Sequence, residues 1–504
     1  MSTQVQTRQG RVEGERRGAH LAFRGIPYAL PPIAAGRFRA PEPARSWSGV
    51  RDARSFAASA PQGGSETPWM EAQGPLSEDC LYLNVYTRGT TGKRPVLFWI
   101  HGGGFVLGSG SSDLYDGGPL CERGDVVVVT INYRLGALGY LYLGQHGGER
   151  IGASSNLGQL DQIAALRWVQ ENIQSFGGDP ENVTIFGESA GSMAVCTLLC
   201  MPAARGLFQR AIAQSGAALD VLRPEEAAQV SDQFLRAANI APEQIERVLE
   251  LDVPQLLAAQ RIAGRTRGGL AFGPVVDPAS LPLSPGEAIA SGACAKVPLV
   301  IGTNRDEINL FRMAALRELD KPMDDGRALS VLAKHIPRQP SDRLAELLEI
   351  YRGSRQRHGL PHSNRALLSA LESDAFFRIP SIRFAEAYRR VQPRTFMYLF
   401  TYESPSMRGA LRACHALELP FVFGTLDAPF QDRFAGKGPD VSALSETMMD
   451  AWLGFARSSN PSTLRVGDWV PYDAERRATM VFDRQTRLED APYDEERAAW
   501  DAVA

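Results

Sequence analysis

The sequence predicts an α/β fold, a central, mostly parallel sheet flanked by helices on both faces, and two observations carry that reading. The first is a set of short runs at 96–100, 126–131, 183–186, 299–301 and 395–400 that are β-branched or aromatic and almost continuously apolar. Strands covered on both faces read this way, whereas a sheet with one wet face alternates. The second is the succession of strand, long helix, strand, sharp turn and helix between residues 126 and 199, the order of a doubly wound sheet.

Taken in order, Val96-Leu97-Phe98-Trp99-Ile100 runs straight into His101-Gly102-Gly103-Gly104-Phe105. Three glycines leave backbone N–H groups bare, and donors aimed at a developing oxyanion stabilise acyl transfer by roughly 3 to 4 kcal/mol each. Gly103, Gly104 and Ala190 are the candidate donors. After the valine-rich run at 126–131, residues 159–176 read as a helix whose apolar positions, among them Leu160, Ile163, Leu166, Trp168 and Ile173, spread too widely for one stripe and predict deep packing. Gly177-Gly178-Asp179-Pro180 stops it. Val183-Thr184-Ile185-Phe186 then leads into Gly187-Glu188-Ser189-Ala190-Gly191 and an apolar helix beginning at Ser192. In a chain with 48 glycines that pentapeptide spacing alone carries little. Between a strand and a helix it reads as a nucleophile elbow, a tight turn that thrusts the Ser189 hydroxyl outward.

From about 221 to 390 the texture changes to charged, alanine-rich helical sequence, interrupted by core-like stretches at 274–276 and 297–307. The Arg-rich stretch from Arg352 to His362 reads as solvated surface. The expectation is one domain over 1–504, with a core at about 1–220, 295–310 and 395–504 and helical insertions at about 221–294 and 311–394.

A nucleophilic serine needs a base, and the base needs a carboxylate to orient it. Of the seven histidines, His415 stands in a loop after the late strand at 396–400, which fits the order serine, acid, histidine. The acid is expected after the run Leu299-Val300-Ile301, where Asp306 and Glu307 compete and spacing does not separate them.

The bulk composition excludes some partners. A formal charge of −3 gives no reason to expect nucleic acid or an anionic membrane, and no apolar leader or 18-residue uncharged apolar stretch occurs. The six cysteines, at 80, 121, 196, 200, 294 and 414, lack metal-binding spacing and are expected as free thiols in a cytoplasmic, reducing compartment.

The segments FRGIPYALPP (23–32), SEDCLYLNVY (77–86), HGGGF, NYRLGALGYL (132–141), 165–192, QSG (214–216), GTNRDE (302–307), HALELPFVFG (415–424) and DAWLGFA (450–456) together resemble the type B carboxylesterases, the cholinesterase and para-nitrobenzyl esterase group. The resemblance runs almost end to end and is strongest to bacterial para-nitrobenzyl esterases. It implies an α/β-hydrolase fold whose helical insertions cap an active-site gorge, and a carboxylic ester hydrolase for small to medium uncharged esters such as p-nitrophenyl or p-nitrobenzyl esters. It also implies Glu307 as the acid and His415 as the base for Ser189, supporting parts for Glu188 and Ser215, and a structural ion pair between Glu78 and Arg134. Water is the co-substrate, no cofactor or metal is implied, and a monomer is favoured. Ala60 stands where secreted relatives carry the partner of Cys80, so the loop at 61–79, with Trp69 and Met70, lacks that staple. Two other readings compete: an amidase or carbamate hydrolase on the same machinery, and a catalytically silent binding module, which the presence of Ser189, Glu307 and His415 disfavours.

Overall fold

Runs of β-branched and aromatic residues buried on both faces form the middle of the sheet, and shorter, more polar strands extend it at each side. A computed structural model describes residues 2–64, 74–265, 270–313, 322–336 and 339–501; the expectations for Trp69 and Met70 lie outside them. Among the described residues β1 (Gln4–Gln6), β2 (Arg11–Glu13) and β5 (Val50–Asp52) make a small separate sheet. The large sheet comprises β3 (Glu15–Arg17), β4 (His20–Pro27), β6 (Tyr82–Thr87), β7 (Arg94–Ile100), β8 (Val127–Ile131), β9 (Gly178–Glu188), β10 (Arg210–Gln214), β11 (Leu299–Asn304), β12 (Thr395–Phe400), β13 (Ala478–Phe482) and β14 (Arg487–Asp490). Its spatial order is β14-β13-β12-β11-β10-β9-β7-β8-β6-β4-β3.

Pairing is parallel from β8 through β13 and antiparallel beyond, at β13–β14 on one side and β8–β6–β4–β3 on the other. The parallel strands β8, β11, β12 and β13 are buried at every residue. Register aligns Ile100 with Gly187, Gln214 with Glu188 and Gln214 with Gly302. The carboxyl ends of β7, β9, β10 and β11 therefore open side by side, and the loops that leave them converge.

The helix expected at 159–176 is Leu157–Asn172 continued by a 3-10 turn, Ile173–Phe176, and closed by Gly177 in the left-handed region (φ 77°). It is buried on most sides, and its Asp161 explains one departure from expectation. Glu78 and Arg134 do not pair. Arg134, just past β8, lies against this helix and meets Asp161 in a two-pronged contact at 2.6 and 2.8 Å. Glu78 instead accepts from Arg37 Nε at 2.7 Å. A buried guanidinium takes the carboxylate that matches its fork, and for Arg134 that partner sits on the neighbouring helix.

The middle of the chain is helical, as in Pro224–Ala237, Ser341–Arg357, Asn364–Ser373 and Ile379–Tyr388. Phe234, Leu347 and Leu371 from these helices belong to the same buried apolar cluster as Val183 and Ile185 of β9. All six cysteines are buried and unbridged. No described helix is long and apolar enough to cross a membrane.

Candidate active site

Ser189 follows the last residue of β9 and precedes the helix Ala190–Leu198, with φ 57° and ψ −125°. Such backbone costs about 1 to 3 kcal/mol and persists only where the surroundings impose it. Here they do. A Cβ on Gly191 would sit 2.1 Å from the Ile100 carbonyl oxygen, and one on Gly187 2.6 Å from the Gly191 backbone, so β7, β9 and the helix close on one another only through glycine. The Ser189 N–H donates to Gln214 O at 2.9 Å, tying the turn to β10.

His415 is buried on the loop after β12 and packs against both Phe311 and Phe377, two rings stacked on each other, each 4.9 Å away centroid to centroid. Its Nδ1 lies 2.6 Å from Glu307 Oε2. A carboxylate accepts, so Nδ1 carries a proton and donates it to Glu307. The two loops are also joined by His415 N–H to Glu307 O at 3.2 Å and Asp306 N–H to Ala413 O at 2.9 Å. Glu307 Oε1 accepts from the Asn304 N–H at 2.8 Å.

Glu188 Oε1 stands 3.0 Å from His415 Nε2, yet neither Glu188 oxygen has an aligned hydrogen bond. The contact is therefore one of charge rather than a directed bond. Burial pulls the His415 pKa down, but Glu188 and Glu307 together more than reverse this and hold it well above the usual imidazole value. Burial pushes the Glu188 carboxyl up, with His415 opposing.

Asp306 points elsewhere. It accepts from Arg305 Nε at 2.9 Å and Arg355 Nη2 at 3.4 Å, and these arginines, against burial, hold its pKa below the usual value. The six other histidines are likewise engaged: His20 with Glu122, His146 with Asp232, His335 with Glu372, and His101, His358 and His362 with backbone carbonyls.

Gly103 (φ 108°) and Gly104 (φ 61°) follow β7, and Ala190 opens the nucleophile helix. A Cβ on Gly102 would lie 3.0 Å from the Ser189 Cβ, which places this loop against the serine. The N–H groups of Gly103, Gly104 and Ala190 donate to no acceptor among the described residues. Ser215, next to Gln214, is buried with φ 51°, and its Oγ has no partner.

A buried network behind the acid went unread in the sequence. Glu418 accepts from Asn304 Nδ2 at 2.7 Å and Gln214 Nε2 at 3.1 Å, and Trp452 Nε1 donates to Gln214 Oε1 at 3.0 Å. Burial, with Glu188 and Glu307 nearby, pushes the Glu418 carboxyl up to about 8. Its only sequence signal is its place three residues after His415.

The model of the Carboxylesterase family matches residues 1–500. The chain is 40% identical to the para-nitrobenzyl esterase of Bacillus subtilis (strain 168) over 98% of this chain and 97% of that one. It is 35% identical to carboxylesterase 1E of Rattus norvegicus over 98% and 93%. Among solved structures, a PNB esterase superposes with a TM-score of 0.86 at 38% identity, covering 99% of both chains. A carboxylesterase of Geobacillus stearothermophilus superposes with a TM-score of 0.86 at 41% identity, covering 99% of this chain and 100% of that one.

Proposed function

The chain belongs to the carboxylesterase family and is a serine carboxylesterase, and from that premise we propose that Ser189, His415 and Glu307 are its catalytic triad. Ser189 Oγ attacks the ester carbonyl while His415 Nε2 takes its proton. Glu307 holds the imidazole with Nδ1 protonated and stabilises the imidazolium that forms. The oxyanion is met by the N–H groups of Gly103, Gly104 and Ala190. His415 returns the proton to the leaving alcohol, and water then repeats the sequence on the acyl-enzyme. Glu188 adds negative charge beside the imidazolium, and Ser215 supports the turn from the end of β10.

The observation that carries this reading is the 2.6 Å contact of His415 Nδ1 with Glu307 Oε2, on loops opening beside the strained Ser189 turn. The proposed substrates are small to medium uncharged esters, p-nitrophenyl and p-nitrobenzyl esters among them. The likeness to a para-nitrobenzyl esterase and the Phe311 and Phe377 rings packed against His415 support this. The segments at about 221–294 and 311–394 are proposed as the cap over the site, and the protein as a cytoplasmic monomer.

A series of p-nitrophenyl esters of rising acyl length, run beside p-nitrobenzyl acetate and matched anilides, tests the substrate class. Ester turnover with anilides slower by several orders is expected; equal anilide turnover would make the protein an amidase. Ser189→Ala and His415→Ala should each lower kcat by at least about a thousandfold in a folded protein. Retention of more than a tenth would remove that residue from the triad.

A further inference from the structure

His101 opens the glycine loop after β7 but takes no part in the proton transfers above. It is 1% exposed. Its Nδ1 lies 2.8 Å from the carbonyl oxygen of Gly102. A carbonyl only accepts, so the imidazole holds its proton on Nδ1 and donates it there. Burial, opposed by that hydrogen bond, pushes the ring's pKa down to about 4, so the ring stays neutral wherever an esterase with a histidine base works.

The ring is itself fixed. It stacks on Tyr133 at 4.4 Å between centroids and 23° between planes. The Tyr133 hydroxyl donates to His101's own carbonyl at 2.8 Å. Gly108 leaves it room, since a Cβ there would lie 2.5 Å from Nδ1.

A glycine-rich loop can rotate a peptide plane at little steric cost, because no Cβ resists. Rotation of the Gly102–Gly103 peptide would turn the carbonyl's lone pairs, instead of the N–H, toward the site. No peptide bond in the described structure is cis. In a trans peptide the C=O and N–H of one plane point in opposite directions, so whatever holds the Gly102 oxygen also sets the direction of the Gly103 N–H.

We propose that His101 is a positioning residue: by donating from Nδ1 to the Gly102 carbonyl it locks that peptide plane and aims the Gly103 N–H at the oxyanion. This rests on Gly103 being an oxyanion donor, as proposed above. A donor held in place before the reaction costs no reorganisation in the transition state, which is where such donors act.

The test uses p-nitrophenyl acetate turnover and inhibition by an aryl trifluoromethyl ketone, which forms a tetrahedral adduct on a reactive serine. His101→Leu removes the donor and keeps apolar bulk, whereas His101→Asn keeps an N–H near the Nδ1 position. In His101→Leu, kcat is expected to fall about ten- to a hundredfold, with KM within about twofold. Ketone affinity should fall by a similar factor, with no shift in the pH profile. His101→Asn should recover to within about threefold of the wild type. A folded His101→Leu with kcat and ketone affinity near wild type overturns the proposal. So does a folded His101→Asn as impaired as a donor-free variant, and this arm stands even if His101→Leu fails to fold. Replacing Gly103 by glycolic acid through nonsense suppression deletes the N–H itself. If that leaves kcat unchanged, the donor reading fails; if it lowers kcat while His101→Leu does not, only the part given to His101 fails.

Discussion

Glu307 and Asp306 are adjacent and chemically alike, and their surroundings divide them. Asp306 is spent on Arg305 and Arg355, while Glu307 spans His415 Nδ1 and the Asn304 N–H. Only the residue that faces the imidazole stabilises its charged form as Ser189 attacks. Glu307→Gln is therefore expected to lower kcat about a thousandfold or more, and Asp306→Asn less than about tenfold at matched thermal stability. A larger fall in Asp306→Asn would reverse the assignment. The pH profile follows from the same carboxylates. Because Glu188 and Glu307 together hold the His415 pKa above the usual value of about 6.5, the rising limb of kcat/KM against pH should have its midpoint above that value. Glu188→Gln removes one nearby negative charge, which lowers the affinity of the imidazole for its proton, so the limb should move to lower pH. A limb that stays put or moves up would show that Glu188 does not act on His415 through charge.

The turn between β9 and the helix Ala190–Leu198 concentrates the element-scale constraint, since the backbone of β7 passes within van der Waals distance of it. Gly191→Ala would force a Cβ to 2.1 Å from the Ile100 carbonyl oxygen, and backbone cannot yield as a side-chain tip can. A loss of about 3 kcal/mol or more in denaturant unfolding is expected. Gly63→Ala, where nothing lies within 4 Å of the added carbon, should stay within about 0.5 kcal/mol. Equal midpoints for the two would contradict the close approach. The same geometry explains what was legible in the sequence. Glycine spacing encodes backbone directly, so the elbow and the loop after β7 could be read, and β7, β8, β9, β11 and β12 announced themselves as continuous apolar runs because both their faces are covered. β4 and β6 did not, because they carry Arg24 and Asn84 inside the strand, and β10 is a short strand that opens on Arg210 and ends on Gln214. Asn84 is paid for by partners distant in sequence, accepting from the Gly25 N–H at 3.0 Å and donating to Thr130 Oγ1 at 2.9 Å. Likewise Trp452, Gln214, Glu418 and Asn304 meet only in the folded chain, and no local period could have joined them.

At the scale of the whole molecule, helices between 221 and 394 pack into the same apolar cluster as one face of the sheet, while a second cluster, with Trp99, Phe186, Phe423 and Trp452, joins the sheet to the C-terminal helices. What holds so large a chain together then matters, and cross-links are not the answer. Cys80 and the other five cysteines are all buried and unbridged. Burial pushes the Cys121 and Cys196 thiols up to about 12, which leaves almost no thiolate at neutral pH to start an exchange. A disulfide stabilises chiefly by restricting the unfolded chain, and removing one costs about 2 to 5 kcal/mol in small secreted domains. With none present, reductant has nothing to remove. Melting temperature and esterase activity should therefore be the same with and without dithiothreitol. Thiol titration of freshly purified protein, denatured without reductant, should approach the six equivalents per chain that the sequence contains. A count of about four or fewer, together with a melting temperature that falls in reductant, would establish a bridge and place the folding of this chain in an oxidising compartment.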